Sequence, residues 1–248
     1  MFFAGILTAQ QITPQPIIQG QWLKSWLLCG PIPAKEPKDA ADSWDHLFGF
    51  NNDYLQKAGG EQHPIVKAGD VVKFTKGSAK WKLYNSPDSI IDLVRVVSKA
   101  SPVFAYAYTE VLSDENKVWF ISLGSNDGGK LLVNGVNVWD YPQARGLVTG
   151  DDVIPVMLKK GKNTLLFKIE QRGNQWGFCA RFLPFSTANL AERGELFTIS
   201  TDENGESEIT SKFTSPVLEQ LIQNVNIEIL NNQNQPVLKE QRATNFCG

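Results

Sequence analysis

From Val71 to Phe182 apolar and polar residues alternate in short runs, the period-two pattern of strands with two unlike faces. VVKF (71–74) and AKWKLY (79–84) open the series, and Ile90–Leu93 reads as a further short strand. VFAYAYTEVL (103–112) puts Phe104, Tyr106 and Tyr108 on one face. KVWFISLG (117–124) sets Val118, Phe120 and Ser122 opposite Trp119, Ile121 and Leu123. In LLVNGVNVW (131–139) the Asn134-Gly135 pair predicts a type I′ hairpin turn, in which both central residues take positive φ. VIPVML (153–158) and TLLFKIEQ (164–171) form another pair, and in the second Leu165, Phe167 and Ile169 face away from Thr164, Lys168 and Glu170. WGFCARF (176–182) closes the set with Trp176, Phe178, Ala180 and Phe182 on one side. Many short strands with almost no helical periodicity predict an all-β fold, a jelly-roll β-sandwich.

Outside this block the pattern weakens. Residues 1–19 read as a leader or signal-peptide remnant followed by a linker. Met1–Ala9 is apolar, yet the first lysine is Lys24, so a basic n-region is missing. QQITPQPIIQGQ (10–21) shows no usable periodicity, and WLKSWLLCGPIP predicts a strand ended by Gly30, Pro31 and Pro33. Residues 34–70 are polar and irregular, with one or two helical turns expected near Leu47, Tyr54 and Leu55. An excursion of that length between strands is unusual and often functional. The sandwich is therefore assigned to 20–185, a connector to 186–214, and the start of a truncated second β-domain to 215–248. The last assignment rests on the hairpin pattern of VNIEIL and VLKEQ; TDENGESEITSK (201–212) reads as a polar connector or exposed hairpin.

Composition narrows the class. Hydrophobic residues make up 42% and charged residues 20%, so a packed core is expected. A net charge of -2 with mixed signs offers no basic stripe for nucleic acid, and no run approaches a membrane span. Cys29, Cys179 and Cys247 form no CxxC pair. Cys29 and Cys179 read as small buried residues, with a disulfide between them open if the protein is exported to the periplasm, the cell surface or beyond.

Catalytic signatures are missing. The two histidines, His46 and His63, do not make a metallohydrolase cluster, and neither GxSxG nor HExxH occurs. GSNDGGK lacks the spacing and the Ser/Thr of a phosphate loop. No enzyme activity of the chain itself is expected, and no cofactor.

The order of WLLCGPIP, KAGGE, AYAYTEVLS, LGSNDGGKLLVNG, LKKGKNTLLFKIEQ and WGFCARF resembles the galactose-binding-like jelly-roll accessory domains of secreted bacterial enzymes. SNDGGKLLVNG is also similar to the PA14 type of sandwich. The resemblance spans about residues 22–185 and implies a domain beside a glycoside hydrolase, polysaccharide lyase or α/β-hydrolase. In the PA14 pattern two acidic residues hold a metal. Here Asn126 stands in the first place, so Asp127 alone is a Ca²⁺ candidate.

Candidate ligand residues are Asn126, Asp127, Trp139, Arg145 and Trp44, which combine polar groups with aromatic faces for stacking on sugar. Each has a structural alternative. Asn126-Asp127 can cap a turn, Arg145 can pair with Asp151 or Asp152, and Trp139 and Trp44 can pack. Trp176 is assigned to the core, and Glu61 to anchoring the long excursion by hydrogen bonds. The expected function is a non-catalytic carbohydrate-binding or accessory module whose partners are a polysaccharide or glycan and a downstream catalytic domain. The alternatives are a structural spacer packed on that catalytic domain, and a surface adhesion module.

Overall fold

The computed structural model describes residues 11–35, 45–184, 197–201, 207–211, 224–230, 233 and 235–243. Met1–Ala9, Trp44 and Cys247 lie outside the described residues. The chain divides into two compact units, Met1–Pro184 and Phe185–Gly248.

The first unit is an all-β sandwich whose strands are β1 (Gln15–Pro16), β2 (Ser25–Pro33), β3 (Val71–Phe74), β4 (Gly77–Lys80), β5 (Lys82–Asn85), β6 (Ile91–Asp92), β7 (Val103–Ser113), β8 (Lys117–Asn126), β9 (Gly129–Val133), β10 (Val136–Tyr141), β11 (Asp152–Leu158), β12 (Gly161–Gln171) and β13 (Gly177–Pro184). The larger sheet runs β10-β9-β12-β7-β2-β5, with β1 added in parallel to the end of β7. The smaller sheet runs β11-β8-β13-β6. From β7 onward the chain alternates between the two layers except at the β9–β10 hairpin, which stays in the larger sheet, and all the long pairings are antiparallel. The strand β7 is the spine: β12 pairs with it from Gly161↔Ser113 to Gln171↔Val103.

Alternation along the strands divides the apolar residues between two cores. Trp26, Leu28, Ala105, Ala107, Leu165, Phe167 and Ile169 fill the space between the sheets against Ile121, Leu123, Phe178 and Phe182. The opposite face of the larger sheet carries Leu27, Cys29, Ile32, Phe104, Tyr106, Tyr108, Leu132 and Leu166. That face is covered by the excursion after Lys35, through Phe50 and Leu55, and by Trp81 between β4 and β5. The larger sheet is thus buried on both sides. Among the described residues of the excursion the single helical turn is a 3-10 segment, Gln56–Ala58, followed by Gly59 and Gly60 at positive φ.

Three local expectations need correction. Residues 11–21 are not a free linker. Ile12 is buried, β1 adds to the sheet, and the Gln15 amide donates to Ser25 O and Thr109 Oγ1, each at 2.8 Å. The strand predicted to be ended by Gly30, Pro31 and Pro33 runs through the first two and ends at Pro33, with its register against β7 shifting between Cys29 and Ile32. A ring nitrogen without a hydrogen cannot serve the ladder, so the pairing steps around Pro31. The strand at Ile90–Leu93 shrinks to Ile91–Asp92 because Asp92 caps a short helix, α1 (Leu93–Val96), accepting from Arg95 N at 3.0 Å.

Cys29 and Cys179 are free and buried. Cys29 belongs to the outer core. Its would-be partner follows Phe178 and precedes Ala180, both of which face the inner core, so Cys179 points out of the other sheet. The sandwich interior lies between them and a disulfide is out of reach. Burial pushes the Cys29 thiol up to about 12 and the Cys179 thiol up to about 11. An aromatic disulfide reagent is therefore expected to leave both thiols unmodified in the native protein at pH 8 and to label both in denaturant. Stoichiometric labelling of either in the native state would contradict this placement.

Among the described residues the second unit contributes two antiparallel hairpins, β14 (Phe197–Thr201) with β15 (Ser207–Ser211) and β16 (Asn224–Leu230) with β17 (Pro236–Ala243). The first of these falls within the span read from sequence as a connector. No described helix is long and apolar enough to cross a membrane.

Candidate functional site

The segment Asn126–Gly129 carries the chain from the smaller sheet to the larger. Asn126 ends β8 and Gly129 begins β9. The Asn126–Asp127 peptide is cis. Asp127 N donates to Glu170 O and Glu170 N to Gly128 O, both at 2.9 Å, so the corner is stitched to β12. A Cβ on Gly128 would stand 2.1 Å from Tyr141 O, so only glycine passes there. The Asp127 carboxylate accepts from Arg172 N at 2.6 Å and from Arg145 N at 3.3 Å. Burial raises its pKa, and these backbone donors only partly offset that. Both oxygens are engaged in holding loops, and among the described residues no group of three or more His, Cys, Asp and Glu side chains is arranged to hold a metal ion. The residues present do not fit the Ca²⁺ site that the resemblance implied.

Arg145 is likewise committed. Its guanidinium reaches Ser125 Oγ at 2.7 Å, Asp152 at 2.6 Å and Asp151 at 3.4 Å. It also lies over Trp139 and Tyr141, 5.1 Å and 4.6 Å from the ring centres. Trp139 meets Phe167 edge-on at 5.6 Å and packs on the inner core. The structure therefore brings Asn126, Asp127, Trp139 and Arg145 into one region but spends three of them on the fold.

Asn126 differs. Its side chain is 8% exposed, and Oδ1 finds no hydrogen-bond partner among the described residues. Trp176 is 2% exposed, and its Nε1 is unpartnered as well. Both residues line one cavity of about 400 Å³ whose other walls include Ile90, Asp92, Val94 and Leu147, with the exposed Asn174 and Gln175 at the mouth. The cavity sits where β8, β13 and β6 end or begin, as the pairings Gly177↔Asn126 and Gly177↔Asp92 show. Sequence reading placed Trp176 in the core, and its ring is there. The buried, unpartnered indole nitrogen near Asn126 had no sequence signal, because the two residues meet only through strand pairing.

A second polar assembly lies beneath the excursion. Lys168 is wholly buried and donates to Asn52 O at 2.9 Å, to Glu61 Oε1 at 2.8 Å and to Phe50 O. Its ammonium is surrounded by Phe50, Tyr54, Phe104 and Tyr106, with centroid distances of 4.9–5.5 Å. Glu61 also meets Lys130 at 2.8 Å and accepts from the Tyr106 hydroxyl. Burial lowers the Lys168 pKa to about 8. Burial works against the Glu61 charge too, but Lys168, Lys130 and Tyr106 outweigh it and hold the carboxyl below its ordinary value. The predicted anchoring role of Glu61 has this geometry behind it.

Nearby, His46 stacks on Phe50 at 4.0 Å and bridges two carboxylates, Nδ1 to Glu170 at 2.9 Å and Nε2 to Asp140 at 2.6 Å. Glu170 is also wholly buried and takes Leu47 N at 2.7 Å and the Arg172 guanidinium at 2.8 Å. These charges have partners that fasten residues 45–61 to β12. Glu61 and Lys130 also line a pocket of about 420 Å³ with Asp53, Gln62 and Asn137, and sequence periodicity alone could not distinguish these charges from a solvated face.

No protein-family model matches the chain, and no curated protein matches it. Solved structures give partial likenesses. The β-glucosidase of Kluyveromyces marxianus is 15% identical over 52% of this chain and 17% of its own, with a TM-score of 0.38. The β-glucuronidase of Ruminococcus gnavus is 11% identical over 95% of this chain and 40% of its own, with a TM-score of 0.37. The Podospora anserina GH26-CBM35 β-(1,4)-mannanase is 12% identical over 40% of this chain and 26% of its own, with a TM-score of 0.25. The chain spans less than half the length of each. At these scores no property of those enzymes transfers to it.

Proposed function

We propose that the β-sandwich is a non-catalytic carbohydrate-binding accessory module that meets its glycan at the cavity beside Asn126 and Trp176. The observation that carries this reading is the pair of unpartnered atoms there, Asn126 Oδ1 and Trp176 Nε1. A buried polar atom left unpaired costs roughly 1–3 kcal/mol, so a ligand that satisfies it recovers that energy on binding. A hydroxyl is donor and acceptor at once and suits either atom, and because both atoms are closed to solvent it reaches them only as the Asn126 amide or the indole shifts toward the cavity. Ile90, Val94 and Leu147 give the C–H face of a sugar ring an apolar wall. The buried carboxylates Glu61, Glu170 and Asp127 are each engaged in loop fastening, which supports placing catalysis in another domain.

The test is calorimetric titration of the full chain with neutral mono- and disaccharides. Binding is expected at millimolar Kd, and Asn126→Ala is expected to weaken it about tenfold. Because the amide oxygen has no partner in the fold, the same substitution is expected to leave the urea midpoint unchanged or raise it slightly. No binding of any neutral saccharide, or equal binding by the variant, would overturn the assignment. A spacer packed beside a catalytic domain would then remain.

A further inference from the structure

We infer that this cavity selects uncharged saccharides and discriminates against uronic acids and sulfated sugars, an inference that rests on the carbohydrate-binding reading above. Its lining contains one formally charged side chain, Asp92, and no lysine, arginine or histidine. The nearest basic residue in sequence, Arg95, is turned aside: its guanidinium donates to the Tyr84 hydroxyl at 3.1 Å and lies 3.7 Å from Asp88. Arg145 and Arg172 are also held elsewhere, against Asp151 and Asp152 and against Glu170. An anionic sugar entering the cavity therefore finds no cation in the wall and lies close to Asp92, whose Oδ1 accepts from Arg95 N.

Hydrogen-bonding chemistry points the same way. An ionised carboxylate or sulfate only accepts, so it can answer the donors Trp176 Nε1 and Asn126 Nδ2 but not the acceptor Asn126 Oδ1. A neutral hydroxyl can answer both. The remaining polar groups at the mouth, Asn174 and Gln175, are uncharged amides that suit hydroxyls equally well. Aliphatic Ile90 and Leu147 add no compensation for a desolvated anion. Two like charges about 6 Å apart near a protein surface repel enough to reduce affinity about tenfold at low salt.

The experiment titrates the full chain at pH 7 with matched pairs, glucose against glucuronate and galactose against galacturonate, as methyl glycosides at low and moderate salt. The neutral member of a pair is expected to bind at least about tenfold more tightly at low salt, with the gap narrowing as salt screens the charge. Asp92→Asn keeps a good helix cap and removes the charge. It is expected to shrink the neutral-to-uronate ratio at low salt to about threefold or less. Equal or tighter binding of the uronates, or a ratio unchanged in Asp92→Asn, would overturn the selectivity while leaving the binding site in place. Binding of neither member would overturn the carbohydrate-binding reading itself, so the two failures are distinct.

Discussion

Replacing Glu61 by glutamine is expected to destabilise the sandwich by about 3–5 kcal/mol, because it leaves the charge of a wholly buried lysine without its counter-charge. Lys168 has no route to water. Its remaining contacts are the carbonyls of Phe50 and Asn52 and four aromatic rings, which solvate a cation only in part. Lys130 loses the same carboxylate but keeps some solvent access, so most of the penalty falls on Lys168. Urea unfolding followed by tryptophan fluorescence measures it. Thermal scans should show the midpoint falling by roughly 10 °C for a unit of this size. Pairing Glu61→Gln with Lys168→Met is expected to restore much of the loss, since an apolar side chain suits the aromatic surroundings. A single Glu61→Gln variant within about 1 kcal/mol of the parent would show that the cluster is not the fastener of the excursion.

The second large effect is set by pH. His46 bridges Asp140 and Glu170. Burial disfavours its charge, but hydrogen bonds and attraction to the two carboxylates prevail, so its pKa is raised above 6.5. A raised imidazole pKa gives stability that is complete below the unfolded value and is lost as pH rises through the folded one. Asp140 behaves in the opposite sense. Its pKa is held below the usual carboxylate value, first by the His46 hydrogen bond, so its contribution disappears as pH falls through that lowered value. His46→Gln is accordingly expected to be less stable than the parent by about 2 kcal/mol near pH 5.5, with the gap closing above pH 8. Lys168 also titrates in the alkaline range, its pKa lowered to about 8. Comparing parent with variant at each pH cancels that background. A gap that stays constant from pH 5.5 to pH 9 would show that His46 acts by packing on Phe50 and not by charge.

Both effects arise in residues 45–61, where sequence patterning was weakest. Leu47 and Leu55 were readable there as apolar positions, and Glu61 as an anchor, but not what they would lie against. The strand series was far easier to read. Leu165, Phe167 and Ile169 alternate with Lys168 and Glu170 because successive side chains point to opposite faces of a strand. Asn134-Gly135 likewise specified its turn locally, and both residues adopt positive φ, 50° and 84°. The candidate site was legible only in part. Asn126 was singled out beside Asp127 and Arg145, which proved to be internal fasteners. Trp176 was assigned to packing.

The sequence by itself determined the alternation and the hairpin turn. These depend on backbone sterics and on neighbours within a few residues. Only the tertiary structure decided which faces see water. A polar face on β12 reads as solvated until an excursion from more than a hundred residues away lays Phe50, Glu61 and His46 across it. Whether a charged residue lies buried depends on distant groups supplying its hydrogen bonds and counter-charge, and a period of two carries no record of them. The same holds for the cavity. Asn126 and Trp176 become neighbours through the pairing of β8 with β13, and what they can bind follows from the atoms the fold leaves unpaired.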